Sequence, residues 1–226
     1  MSNRFRAAVF LALLACWGCA SIPFREVSPV PEAAGVEPAG VRGRFESDLA
    51  SRYQVIGTIV FRYGWRSFSA IGYTAVDSDK KSFTVVGLTP IGIKLFELTG
   101  DASKVETRFA MEEFTRKGKF AETVAGDIRR IYFDRVPEAG ASARKETDRI
   151  VFTQPEDDGT LTFVFAGADN NLVEKRFSVD NEKEWAVFYY EWVRREGKLY
   201  PSGIILKNYR YGYRLTIRGK EIRDYE

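Results

Sequence analysis

The sequence predicts a mainly β fold: one curled antiparallel sheet of about eleven strands with a single inserted helix. Three observations predict it. From Gln54 onward, runs rich in β-branched and aromatic residues alternate with turns of Gly, Asp and Asn. The connections are short, which suits antiparallel neighbours and leaves no room for crossover units. One segment near the middle abandons the β pattern for a helical period. A sheet of that many strands must curl, split or close. Curling around the helix leaves an apolar concave side with a lid. The alternative, a lipocalin-like closed barrel, has no helix inserted midway.

The chain opens with an export signal over residues 1–19. Arg4 and Arg6 form a positive start, and Ala7 to Ala15 is an apolar run too short to span a bilayer. The end of that run resembles a lipobox, where bacteria cut the signal and acylate the new N-terminal cysteine. Two registers compete. Leu13-Leu14-Ala15-Cys16 has an aliphatic residue three before the cysteine and a small one directly before it, which favours Cys16. Cys19 has Gly18 before it and Ala20-Ser21 after it, but Cys16 and Trp17 are poor upstream residues. A plain secreted signal with incidental cysteines is the other reading. Residues 20–43 carry four prolines and no hydrophobic period, and read as an extended linker between a palmitate-type anchor and a body over residues 44–226.

Phe45 to Tyr53 is either a short helix or the lead into the sheet. Gln54–Tyr63 and Trp65–Val76 are long strands around Tyr63-Gly64. Ser82–Val86 and Ile93–Leu98 form a hairpin whose turn, through Leu88, Thr89, Pro90, Ile91 and Gly92, is apolar where hairpin tips are usually polar. Val105–Met111 is a further strand. Phe120, Val124, Ile128, Ile131 and Tyr132 then fall on one helical face, in a helix expected from Lys119 to near Pro137. Glu138–Glu146 reads as a loop. Further strands are expected at Arg149–Gln154, Thr160–Gly167, Leu172–Val179, Trp185–Arg194, Gly203–Tyr209 and Tyr213–Gly219.

The run GLTPIGIKLFEL, from Gly87 to Leu98, resembles the central hairpin of an uncharacterised family of bacterial lipoproteins related to the carriers and receptors LolA and LolB. SGIILKNYRYGYRL, from Ser202 to Leu215, resembles that family's last hairpin. The resemblance implies a half-barrel with a helical lid and a non-enzymatic role in lipid or lipoprotein transport or insertion. It also implies an outer-membrane address on the periplasmic face of a Gram-negative bacterium, since neither lipobox register puts Asp after the cysteine.

Composition narrows the chemistry. Histidine is absent, and both cysteines lie within the first 19 residues, so the body has neither a disulfide nor an imidazole or thiolate ligand for a metal. No phosphate loop or nucleophile elbow occurs, and no cofactor is expected. Asp77-Ser78-Asp79 starts like a calcium loop, but lysines stand next where oxygen ligands belong, so it reads as a turn. Glu112-Glu113 and Asp157-Asp158 are adjacent pairs, which do not converge on a cleft. Tyr209 to Arg214 interleaves aromatic and basic residues, yet an exported hairpin rarely meets nucleic acid.

The remaining candidates are apolar. Leu88, Ile91, Ile93 and Leu95 at the hairpin, and Phe120, Val124, Ile128 and Ile131 on the helix, are expected to meet acyl chains. So are Phe163 and Phe165 on one strand, and Phe188, Tyr190 and Trp192 alternating on another. The competing reading is that these residues fill an ordinary core. In function, an acyl-binding lipoprotein anchored in the membrane, with lipid or lipoprotein as cargo, stands against an accessory lipoprotein that docks to an envelope protein partner without a ligand.

Overall fold

The computed structural model describes residues 23–25, 36–116 and 118–224. Twelve antiparallel strands form one sheet: β1 (Arg52–Tyr63), β2 (Arg66–Asp77), β3 (Ser82–Leu88), β4 (Lys94–Gly100), β5 (Val105–Ala110), β6 (Ser142–Lys145), β7 (Arg149–Glu156), β8 (Gly159–Ala166), β9 (Asn171–Val179), β10 (Glu182–Arg195), β11 (Lys198–Asn208) and β12 (Tyr213–Asp224). Their order across the sheet is β5-β4-β3-β2-β1-β12-β11-β10-β9-β8-β7-β6. Adjacent strands in the sheet are therefore consecutive in sequence, apart from the β1–β12 seam that joins the two halves. The curled sheet stays unclosed, with β5 and β6 as its edges. Both edges are mostly exposed and carry charges, Glu106 and Arg108 on β5 and Arg144 and Lys145 on β6, which discourage pairing with another chain.

Three helices complete the described residues: α1 (Pro38–Asp48), α2 (Glu112–Thr115) and α3 (Phe120–Tyr132). Helices α2 and α3 lie in the single long connection, from edge β5 to edge β6, and so cross the concave side. Pro38 starts α1, as a residue without an N–H does at little cost in a first turn. Val41 and Phe45, four apart, give α1 its one buried stripe. It takes up residues 38–43, which the sequence assigns to the linker. The helix at α3 ends at Tyr132, short of the expected boundary near Pro137, because Phe133 turns extended. The twelfth strand, β6, lies in the stretch expected as a loop.

Concavity is built partly from glycine. Gly57, Gly72 and Gly87 face one another across three adjacent strands. A Cβ on Gly72 would lie 2.2 Å from Ile59 Cδ1, and one on Gly87 2.4 Å from Phe96 Cε1, so neighbouring side chains fold over the missing ones. The outer face holds one unexpected guest. Phe24, buried, stacks on Tyr190 at 5.5 Å and lies 3.0 Å from where a Cβ on Gly203 would stand. The Arg218 guanidinium covers the Phe24 ring at 5.0 Å and donates to the Pro23 carbonyl. No described helix is long and apolar enough to cross a membrane.

Candidate functional site

The meander puts alternate turns at opposite ends, and the two ends of the concave side differ. One is plugged. Phe45 of α1 meets Phe165 edge-on at 5.2 Å and Trp192 at 5.3 Å. Beside it, the last carbonyls of α3 are capped by side chains from the sheet, where a helix normally leaves them to water. Lys175 Nζ donates to Phe133 O at 2.8 Å, Tyr189 Oη to Ile131 O at 2.6 Å, and Ser78 Oγ to Tyr132 O at 3.1 Å. Buried Arg135 donates to Tyr53 Oη at 3.2 Å, to Ala50 O at 3.2 Å and to Ser78 Oγ at 3.3 Å. Burial pulls the Lys175 ammonium down to about 7 and raises the Tyr189 phenol. Higher on α3, the Asp127 carboxylate accepts from Tyr213 Oη at 2.7 and 2.8 Å and from Arg130 at 2.8 Å. Burial pushes its pKa up to about 6, against the opposing pull of Tyr213 and Arg130.

The other end is open and aromatic. Phe114 sits 5.8 Å from Phe68, 5.7 Å from Phe96 and 5.0 Å from Phe120, and Phe96 lies 5.1 Å from Phe120. Ile59, Phe61, Val124 and Leu215 pack beside them, half-buried. The cover over this cluster is α2 and the first turn of α3, joined through Gly118 at φ +84. Helix α2 has no buried residue; Phe114, Phe120 and Ala121 pack the cover down, and the Met111 N–H donates to Leu95 O at its start, 2.9 Å. This largely half-buried aromatic cluster under a lightly held lid is the candidate site. Separately, a polar groove of about 870 Å³ runs over the outer face of β7–β9, lined by Thr153, Thr160, Thr162, Arg176 and Ser178.

The structure divides the expected residues. Phe120 and Val124 line the candidate site. Ile128, Ile131, Phe163, Phe165 and Leu95 are buried in the core. Leu88 is half-buried at the end of β3, while Ile91 and Ile93 stand exposed on the β3–β4 turn. Phe188, Tyr190 and Trp192 do not share a face, which corrects the expectation. The register of β10 against β11 shifts between Tyr189 and Trp192, and this bulge swings Trp192 onto the concave side, stacked on Tyr189 at 5.4 Å. Phe188 and Tyr190 stay on the outer face, 6.4 Å apart, with Lys207 Nζ 5.0 Å over the Phe188 ring. Cys16 and Cys19 lie outside the described residues.

The sequence reading missed Phe61, Phe68, Phe96 and Phe114. Phe61 and Phe68 had a signal: they are equidistant from the Gly64 turn, and the hairpin register pairs them. The carbonyl caps from Lys175 and Tyr189 had none, because they join residues from distant strands.

Residues 58–221 match the model of a family described as "Protein of unknown function (DUF3261)". The chain belongs to that family. No curated protein matches this member of it. Among solved structures, a LolA superfamily protein from Nitrosomonas europaea superimposes with a TM-score of 0.54 at 9% identity, covering 85% of this chain and 95% of that one. The DUF3261 fold is therefore LolA-like. A DUF1329 family protein from Desulfovibrio piger matches at a TM-score of 0.48 and 10% identity, covering 87% of this chain and 93% of that one. A domain from Vibrio parahaemolyticus, titled as outer membrane lipoprotein-sorting, matches at 0.47 and 9% identity, with 82% and 91% covered.

Proposed function

We propose that this DUF3261 protein binds acyl chains of a lipid or lipoprotein in the aromatic space under α2 and the start of α3. It is a non-enzymatic lipoprotein of the bacterial outer membrane, acylated at Cys16 or Cys19 and facing the periplasm. The observation that carries the reading is the half-buried cluster of Phe61, Phe68, Phe114, Phe120 and Val124, resting on buried Phe96, under a lid without a buried residue of its own. Side chains left half-buried under a movable cover gain by burying an apolar guest. Exchange is a consequence of the lid: opening it breaks ring contacts and no hydrogen bond between Phe114 or Phe120 and the sheet. Ile91 and Ile93 form an apolar edge beside the entrance.

The test is native mass spectrometry with organic extraction of the exported chain carrying Cys16→Ser and Cys19→Ser, prepared without detergent. Co-purifying lipid is expected in the wild-type cavity. Val124→Glu, at a half-buried position, is expected to lose it by at least about tenfold while the melting temperature stays within a few degrees. A lipid-free protein that also refuses a fluorescent fatty acid overturns the reading. One observation favours the alternative, an accessory lipoprotein that docks to an envelope partner: between β7 and β10 the concavity is already filled by Phe45, Phe163, Phe165 and Trp192.

A further inference from the structure

Nine large apolar side chains are exposed among the described residues, and eight of them cluster at the open end. They sit on the tips of three hairpins and at the end of β5. Trp65, 88% exposed, and Tyr63 cap the β1–β2 turn; Ile91, 83% exposed, and Ile93 cap the β3–β4 turn; Tyr209 and Tyr211 cap the β11–β12 turn. The register Tyr63↔Tyr213 sets the first and third of these turns at one level. Scattered apolar residues are ordinary on a surface, but a set confined to one end is not. Tryptophan and tyrosine on a rim are the side chains that settle at a lipid headgroup boundary.

Directly below these tips the charges are placed against their own stability. Arg62 lies opposite Arg214, and Arg214 opposite Lys207, so three cations stand side by side in one cross-strand row on the outer face. Like charges facing each other across strands repel. None of the three has an ion pair among the described residues. Arg66 lies over the Trp65 ring at 5.3 Å, and Arg210 over Tyr211 at 5.7 Å, each bringing a cation up to an aromatic tip. The carboxylates nearby are Glu184, 3.5 Å from Arg210, and Glu97, paired with Lys94. Among the described residues, the unpaired acids of this end are Asp157, Asp158, Asp180 and Glu182, in the β7–β8 and β9–β10 turns on the other half, and Glu113 and Glu122 on the lid. Around the hairpin tips the rim is thus split into an aromatic, basic crescent and an acidic one, with the lid and its Glu113 and Glu122 between them.

We propose that the aromatic crescent docks on an anionic lipid surface. The Arg62, Arg214 and Lys207 row takes headgroup phosphates, Trp65 and Tyr211 lie at the interface, and Ile91 enters the acyl boundary. The occupant is argued from complementarity: a row of cations without carboxylate partners needs anions, and the rings directly above it need an apolar layer within one turn's height. A bilayer with anionic headgroups supplies both in that order. The acidic crescent and the lid glutamates are held away from such a surface, which tilts the body onto its β1–β2, β3–β4 and β11–β12 turns. The proposal does not depend on what the concavity holds.

The test reads the position of Trp65 in the full chain, reconstituted by its own N-terminus into vesicles of phosphatidylcholine alone or mixed with phosphatidylglycerol. An acyl-brominated phospholipid in each quenches tryptophan that reaches the boundary, and Trp65→Phe supplies the background from the other tryptophans. Strong quenching is expected only in the anionic vesicles. Arg62→Glu is expected to weaken it by about tenfold or more, since two units of charge are changed at the surface. The same variant relieves the like-charge row and is expected to raise the melting temperature by about 2–4 °C, so that lost docking is not lost folding. Equal quenching in both vesicles, or unchanged quenching in Arg62→Glu, overturns the proposal. So does loss of the signal with inorganic phosphate but not with chloride at matched ionic strength, which marks a free-anion site.

Discussion

Lys175 shows what one buried cation does to a fold. Its ammonium is held on the Phe133 and Arg130 carbonyls at 2.8 and 3.3 Å, in a site that leaves it 3% exposed. Burial lowers its pKa to about 7, whereas the unfolded chain keeps an ordinary lysine value. Between those two values the unfolded state binds the extra proton, so stability rises with pH there and is flat below about 7. Relative to Lys175→Met, wild type is expected to gain about 1.4 kcal/mol per pH unit from about pH 7 to 10, measured by urea unfolding. A constant difference over that range means the lysine stays charged against the carbonyls. Asp127 has the opposite sign. Its raised pKa makes the folded state the better proton binder from about pH 4 to 6, so the advantage of Asp127→Asn is expected to grow over that window. Gly72→Ala places a methyl 2.2 Å from Ile59 Cδ1 and is expected to cost about 1–3 kcal/mol, recovered in part by Ile59→Ala. None of this is visible in the sequence. Lys175 shares the inward row of β9 with Phe177, and a period of two cannot tell a buried lysine from an exposed one.

Among the elements, α2 and α3 form one connection with unequal ends. The C-terminal half of α3 buries Ile128, Ile131 and Tyr132 and is capped by side chains from β9, β10 and the β2–β3 turn, while α2 and the first turn of α3 rest mainly on Phe114 and Phe120. Hydrogen exchange is therefore expected to be at least about 100-fold faster from Glu112 to Thr123 than from Ile128 to Tyr132. Uniform protection along the connection refutes a lid that moves by itself. The helical period of α3 was legible because its buried face repeats at four and three. Strand β6, Ser142 to Lys145, was not, because an edge strand with four exposed residues has no burial pattern to display. Helix α1 was half legible: two glycines weaken its propensity, and only Val41 and Phe45 mark its face. The bulge near Glu191 defeated the period in another way. One extra residue reverses the face of every later position in the strand, and no residue type announces it.

At the scale of the whole molecule, the half-barrel is a chamber shut at one end and open at the other. Its architecture was legible from short connections, which force neighbours in sequence to be neighbours in the sheet. Which end is shut was not, because α1, Arg135 and the β10 bulge decide it together. The docked Phe24 adds a limit on reach. It lies five residues after Cys19 and eight after Cys16. An extended chain spans at most about 3.4 Å per residue, so under the proposed acylation the lipid would stand no more than roughly 17 or 27 Å from the outer face of the sheet. Gly203, under Phe24, is five residues from the end of β11, or about 17 Å from the aromatic rim. Leash and body are thus matched in length. With the proposed anchor, a rim on so short a leash would meet the bilayer at a high effective concentration, so a weak hold would suffice and release would stay fast. Under the proposed anchoring and docking, such a protein would ferry nothing across a gap wider than itself and would take delivery at one membrane.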